Sequence, residues 1–179
     1  MEDRYLAGFT LVELLLTLAV LGITLALAVP AMTQFIERNR LRSAAESLVA
    51  DIHLARSEAI KSARHGTVHL NFKMTGGNWC YGLDYRHRCD CFKQQTASKT
   101  GCSFHTRLGR DFPGITLTAA RFSGTSNTWF EGIRGTARAG HIAFRSDAGN
   151  ALQVKISALG RARICSPEEN PSPGGYPLC

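Results

Sequence analysis

From Phe9 to Met32 the chain carries one charge, Glu13, in an otherwise almost uniformly apolar run. A helix over this run rises ~1.5 Å per residue and spans a ~30 Å hydrocarbon core. A cleaved secretory signal has a shorter apolar core, followed by a small-x-small site. Here a short polar stretch, MEDRYLAG, comes first, and Ala26, Ala28 and Ala31 lie inside the run. Gly22 and Pro30 are tolerable in a membrane helix, and Pro30 should kink or loosen it. A carboxylate at bilayer depth costs about 2.5–3.5 kcal/mol on insertion scales, so Glu13 needs a physical reason to be there.

The periodicity then changes. Leu41, Ala45, Leu48, Ile52, Ala55, Ala59 and Ala63 recur in steps of three and four, forming one stripe of an amphipathic helix. Arg42, Glu46, Asp51, Arg56 and Glu58 fall outside it. The membrane helix is expected to continue into a helix that docks this stripe on a domain, with His65-Gly66 ending it and Gly66 as the stop. Beyond Gly66 the period becomes two. TVHLNF, WCYGLDY, ITLTAARF, HIAFR, ALQVKIS and RARIC read as strands, several of them separated by Gly-rich segments. The fold class is therefore α+β: a long N-terminal membrane-spanning helix packed on a mostly antiparallel β-sheet, with one face on the helix and one partly wet.

Charge is distributed unevenly. Through Arg64, seven Lys/Arg balance seven acids, and the rest holds fourteen basic and seven acidic residues. The whole +7 excess lies in the C-terminal part, where a polyanion is a reasonable partner. A basic soluble domain with no nucleic-acid role has the same composition. All six cysteines also lie there, and outside the cytoplasm they should be oxidised. Cys89 and Cys91 are expected to pair with Cys80 and Cys102 in an order left open, and Cys165 with Cys179, stapling the Pro/Gly-rich tail. The rival is a metal site built from His87, Cys89, Cys91, Cys102 and His105, but this spacing matches no standard zinc pattern, and no metal is expected.

The segment SALGRARIC suggests a hairpin. A three-residue loop, Ala158-Leu159-Gly160, suits a type I turn closed by a left-handed glycine. Ser157 then faces Arg161 and Lys155 faces Arg163 on one face, with Val154, Ile156, Ala162 and Ile164 on the other. Like charges directly across a strand pair are unfavourable, yet cations on a short rigid hairpin are a good seat for backbone phosphates. Arg134, Arg138 and Arg145 are candidates to extend the patch. Trp129 and Phe130 could stack on bases of single strands, with core packing as the alternative. No Gly-x-Ser-x-Gly, Walker loop or His-Glu-x-x-His occurs, so neither an enzyme nor a cofactor is expected.

Three stretches resemble type IV pilin-like proteins of the GspH/FimT group: GFTLVELLLTLAVLGI, the prepilin cleavage and membrane motif; LARSEAIKSARHGTVHL, where helix meets sheet; and HIAFRSDAGNALQVKISALGRARIC, the C-terminal strands. The resemblance implies the type IV pilin fold. It implies a leader over 1–8 cut between Gly8 and Phe9 by a prepilin peptidase, and N-methylation of Phe9. A transmembrane helix over 9–32, an amphipathic continuation over 33–65 and a disulfide-bonded periplasmic β domain over 66–179 would follow. It places the chain in the inner membrane as a single pass, then in a pilus fibre with other pilins. It also implies that Glu13 pairs with an N-terminal amine, commonly a neighbouring subunit's, and two opposite charges attract strongly in a low-dielectric layer. The positive-inside rule, applied to Arg38, Arg40 and Arg42, points the domain the other way; the specific motif outweighs it. Some FimT-like minor pilins bind DNA in natural transformation through a C-terminal Gly-Arg-x-Arg, matched here by Gly160-Arg161-Ala162-Arg163. The expected function is a minor pilin that binds double-stranded DNA without regard to sequence. The alternatives are a purely structural minor pilin or type II secretion pseudopilin and, more remotely, an anchored periplasmic enzyme or zinc protein.

Overall fold

Thr10 sets the start of the first element in the computed structural model, which describes residues 9–62, 66–85, 88–93, 100–168 and 175–179. Its hydroxyl accepts the Glu13 N–H at 3.3 Å and its carbonyl accepts the Leu14 N–H at 3.2 Å, an N-cap on helix α1 (Leu11–Lys61). The helix runs unbroken through Gly22 and Pro30. The expected leader, Gly8 included, lies outside the described residues.

The chain divides into two units, Met1–Ile36 and Glu37–Cys179. In the first, apolar side chains such as Leu16, Ile23 and Leu27 are exposed. Thr17 and Thr24 return their hydroxyl protons to the carbonyls of Leu14 and Leu21 at 2.8 and 2.9 Å. That satisfies polar groups locally, as a lipid environment requires. Among the described residues, α1 alone is long and apolar enough to cross a membrane.

In the second unit the predicted stripe is the buried face of α1: Leu41, Ala45, Leu48, Ile52, Ala55 and Ala59 are all at or below 1% exposure, joined by Ala44. Ala63 falls outside the described residues. Asp51, expected on the wet side, is buried, because its carboxylate accepts the Tyr81 hydroxyl at 2.8 Å and faces His105 and Arg107. The helix ends at Lys61, short of the expected boundary. Gly66 follows at φ +60°, its N–H on the Ser62 carbonyl.

Among the described residues eight strands follow: β1 (Thr67–Thr75), β2 (Asn78–Asp84), β3 (His105–Leu108), β4 (Ile115–Arg121), β5 (Thr128–Glu131), β6 (Gly140–Ser146), β7 (Ala151–Ile156) and β8 (Ala162–Cys165). The expected single sheet is two four-stranded sheets, ordered β3-β2-β1-β5 and β4-β6-β7-β8, with every ladder antiparallel. Both apolar faces share one core with α1. Trp79 of β2 meets Phe144 of β6 at 5.5 Å between ring centroids, and Phe72 of β1 meets Phe122, just after β4, at 6.0 Å. One flat sheet could cover the helix but could not close over these aromatics. β3 and β5, absent from the sequence reading, are four-residue edge strands, too short for alternation to identify.

Candidate nucleic-acid interface

The β7–β8 hairpin has the register its turn chemistry dictates. Lys155 pairs with Arg163 and Ile156 with Ala162, while Ser157 donates to the Arg161 carbonyl at 3.0 Å across a loop closed by Gly160 at φ +69°. Arg161 and Arg163 are exposed, and Val154 and Ile156 are buried. Glycine at 160 is required twice over. Its backbone is left-handed, and a Cβ there would lie 2.8 Å from the Gly135 carbonyl oxygen, against which the loop packs. The Ala137 N–H donates to the Ala158 carbonyl at 2.9 Å and fixes the same contact. Gly160 therefore orients the arginines and presents no side chain of its own.

The pairing continues across the whole sheet. Arg121 of β4 faces His141 of β6, His141 faces Lys155 of β7, and Lys155 faces Arg163 of β8. Directly paired residues point to the same face. Four basic side chains thus form one row over four strands, about 14 Å from end to end at ~4.8 Å per strand. The row affects its own members. Burial, then the charges of Arg121 and Lys155, lower the His141 pKa below its ordinary value. Such a row is unfavourable alone and favourable under a line of phosphates. Lys155 is half-buried, and its Nζ donates to the Cys179 carbonyl at 2.9 Å, so the tail shares this face.

The other three candidate arginines do not sit together. Arg134 is exposed in the turn just before Gly135, next to the hairpin loop. Arg145 is exposed on the same face as His141 but four residues along β6, about 13 Å away. Arg138 is half-buried and turned toward a separate cleft, where its guanidinium donates to Thr125 Oγ1 at 3.0 Å. Of the two aromatics, Phe130 is core and Trp129 is only partly covered. Sequence reading missed Arg121 and His141. The short turn between β6 and β7 could have given His141 its place opposite Lys155; nothing local marks Arg121, because β4 and β6 are separated in sequence by β5.

Cys80 is bridged to Cys91, Cys89 to Cys102 and Cys165 to Cys179, which uses every thiol. His87 of the rival metal cluster lies outside the described residues. His105 Nε2 is 3.0 Å from Asp51 Oδ1. In the tail, the Tyr176 hydroxyl donates to Glu46 on α1 at 3.1 Å. Hydrogen bonding from Arg42 holds the Glu46 carboxyl below its ordinary range.

Residues 44–160 match the family described as type II transport protein GspH, and residues 4–29 match the prokaryotic N-terminal methylation motif. Neither a curated protein nor a solved structure matches the chain.

Proposed function

The chain belongs to the GspH family, pilin-like subunits of type IV pili and type II secretion systems, and from that membership we propose that it is a minor pilin that binds DNA non-specifically for uptake. In this reading a prepilin peptidase cuts between Gly8 and Phe9, the new Phe9 amine is methylated, and Glu13 pairs with an N-terminal amine during assembly. The domain stands in the periplasm on the inner membrane and later in the fibre.

The observation that carries DNA binding is the row Arg121, His141, Lys155 and Arg163, with Arg161 beside it on the hairpin. Arg121, Lys155 and Arg163 are cations held at strand positions, with His141 joining them on protonation; such a row matches a polyanion and reads no bases, so affinity should be independent of sequence. The test is binding of the full-length protein, in detergent micelles, to a random-sequence duplex over a range of salt. Affinity should fall linearly on a log–log plot as counterions are released. Absence of binding near physiological salt would leave a purely structural pilus or secretion subunit.

A further inference from the structure

Trp129 lies in an open cleft of about 410 Å³ between the two sheets' connecting segments, and nothing in the family assignment uses it. The size is within the range of small-ligand sites, about 300–1,000 Å³. Among the described residues its lining combines one indole, the guanidinium groups of Arg88 and Arg138, and His69, with no carboxylate. His69 stands directly opposite Trp129 in the β1–β5 register, so both project into the cleft side by side. Arg138 is aimed by Thr125. Asn127, also in the lining, uses its Oδ1 to accept the Phe72 N–H at 3.1 Å, so its amide nitrogen remains as a donor.

An aromatic face beside cations and an amide donor selects a flat, hydrogen-bonding, anionic ligand. We propose that this cleft binds an unpaired nucleotide of single-stranded DNA, its base on Trp129 and its phosphate between Arg88 and Arg138. The ligand's identity rests on the nucleic-acid reading of the hairpin; the cleft chemistry does not. The two sites are linked along the chain, since Ala137 is bonded to the hairpin loop and Arg138 lines the cleft. A paired, stacked base cannot offer its face to an indole, so duplex ends that fray, or single strands, are what this cleft takes.

The test compares a short oligo(dT) strand with a blunt duplex, using full-length protein in micelles. Trp79 is buried at 3% exposure, so quenching of tryptophan fluorescence by oligo(dT) reports Trp129. Trp129→Ala should weaken oligo(dT) binding about tenfold and leave duplex binding within about twofold, while Trp129→Phe retains most of the affinity. Arg88→Gln, at an exposed position, should lower oligo(dT) affinity and reduce its salt slope by about one. Equal losses on both ligands, or none with Trp129→Ala at unchanged melting temperature, would overturn the cleft. Oligo(dT) binding and quenching without duplex binding would overturn the hairpin reading and keep the cleft.

Discussion

The Tyr81 hydroxyl donates to Asp51 across 2.8 Å, joining β2 to the buried face of α1 at the one charged position there. His105 and Arg107 approach the same carboxylate from β3. Burial, reinforced by that carboxylate, drives the Tyr81 phenol pKa far above its ordinary value, so the hydroxyl remains a donor. Removing Asp51 strands a buried donor, which costs about 1–3 kcal/mol. Asp51→Ala should destabilise the domain by about that amount, and Tyr81→Phe by less, because Arg107 and His105 remain. Urea unfolding of both variants tests the order; equal stability of Asp51→Ala and wild type would contradict it.

For the hairpin, Arg161→Ala/Arg163→Ala should weaken duplex binding for every sequence and flatten the log–log salt slope by roughly two units. The fold should hold because both side chains face solvent. Binding equal to wild type at matched salt and unchanged melting temperature would exclude the hairpin.

His141 predicts a pH dependence. Its native pKa is lowered, so the unfolded chain binds the proton more readily. The stability this group contributes is present above the unfolded value of about 6.5 and is lost as pH falls through the native value. A phosphate on the row would reverse that preference. Duplex affinity should therefore tighten as pH drops from about 7.5 to 5.5, and His141→Gln should remove most of the change. Titrations at constant ionic strength decide it.

The Cys165–Cys179 bridge closes a separation of 14 residues. Cys165→Ser/Cys179→Ser should cost up to about 3 kcal/mol by the loop-entropy relation and free Lys155 from the tail carbonyl. Denatured, unreduced wild-type protein should show no reactive thiol. Stoichiometric free thiols with bound zinc would refute the disulfide assignment.

Glu13 occupies the third helical position after the Thr10 cap, where its backbone N–H is already bonded. Among the described residues its carboxylate has no partner, which leaves it for an intermolecular role, so Glu13→Ala should insert normally and enter sheared fibres poorly. Mass spectrometry of membrane-extracted protein should find a mature chain starting at methylated Phe9. Normal incorporation of Glu13→Ala would rule out the pairing, and an intact Met1 in cells with active peptidase would rule out the cleavage.

Three features were legible in sequence because each is governed by contacts within a few residues. The apolar run and the Leu41–Ala59 stripe follow helical period. The Lys155–Arg163 register follows from a loop whose length and Gly160 leave one alignment. By contrast, Asp51 looked solvated because it is charged, although its spacing from Leu48 and Ala55 puts it on the buried face, where Tyr81 of β2 covers it. Trp129 and Phe130 look alike in sequence, and strand alternation puts one in the core and the other at a cleft.

By itself, then, the sequence determined a membrane-length helix, its amphipathic continuation, an α+β class and a basic hairpin, since periodicity and turn chemistry act locally. Only the tertiary structure decided that eight strands divide into two sheets, that Cys80 takes Cys91, and that Arg121 and His141 complete the cationic row. Those outcomes depend on pairing between strands distant in the chain, and that pairing is selected by the shared core of Trp79, Phe144, Phe72 and Phe122, where burying both apolar faces outweighs the repulsion of like charges left on the wet one.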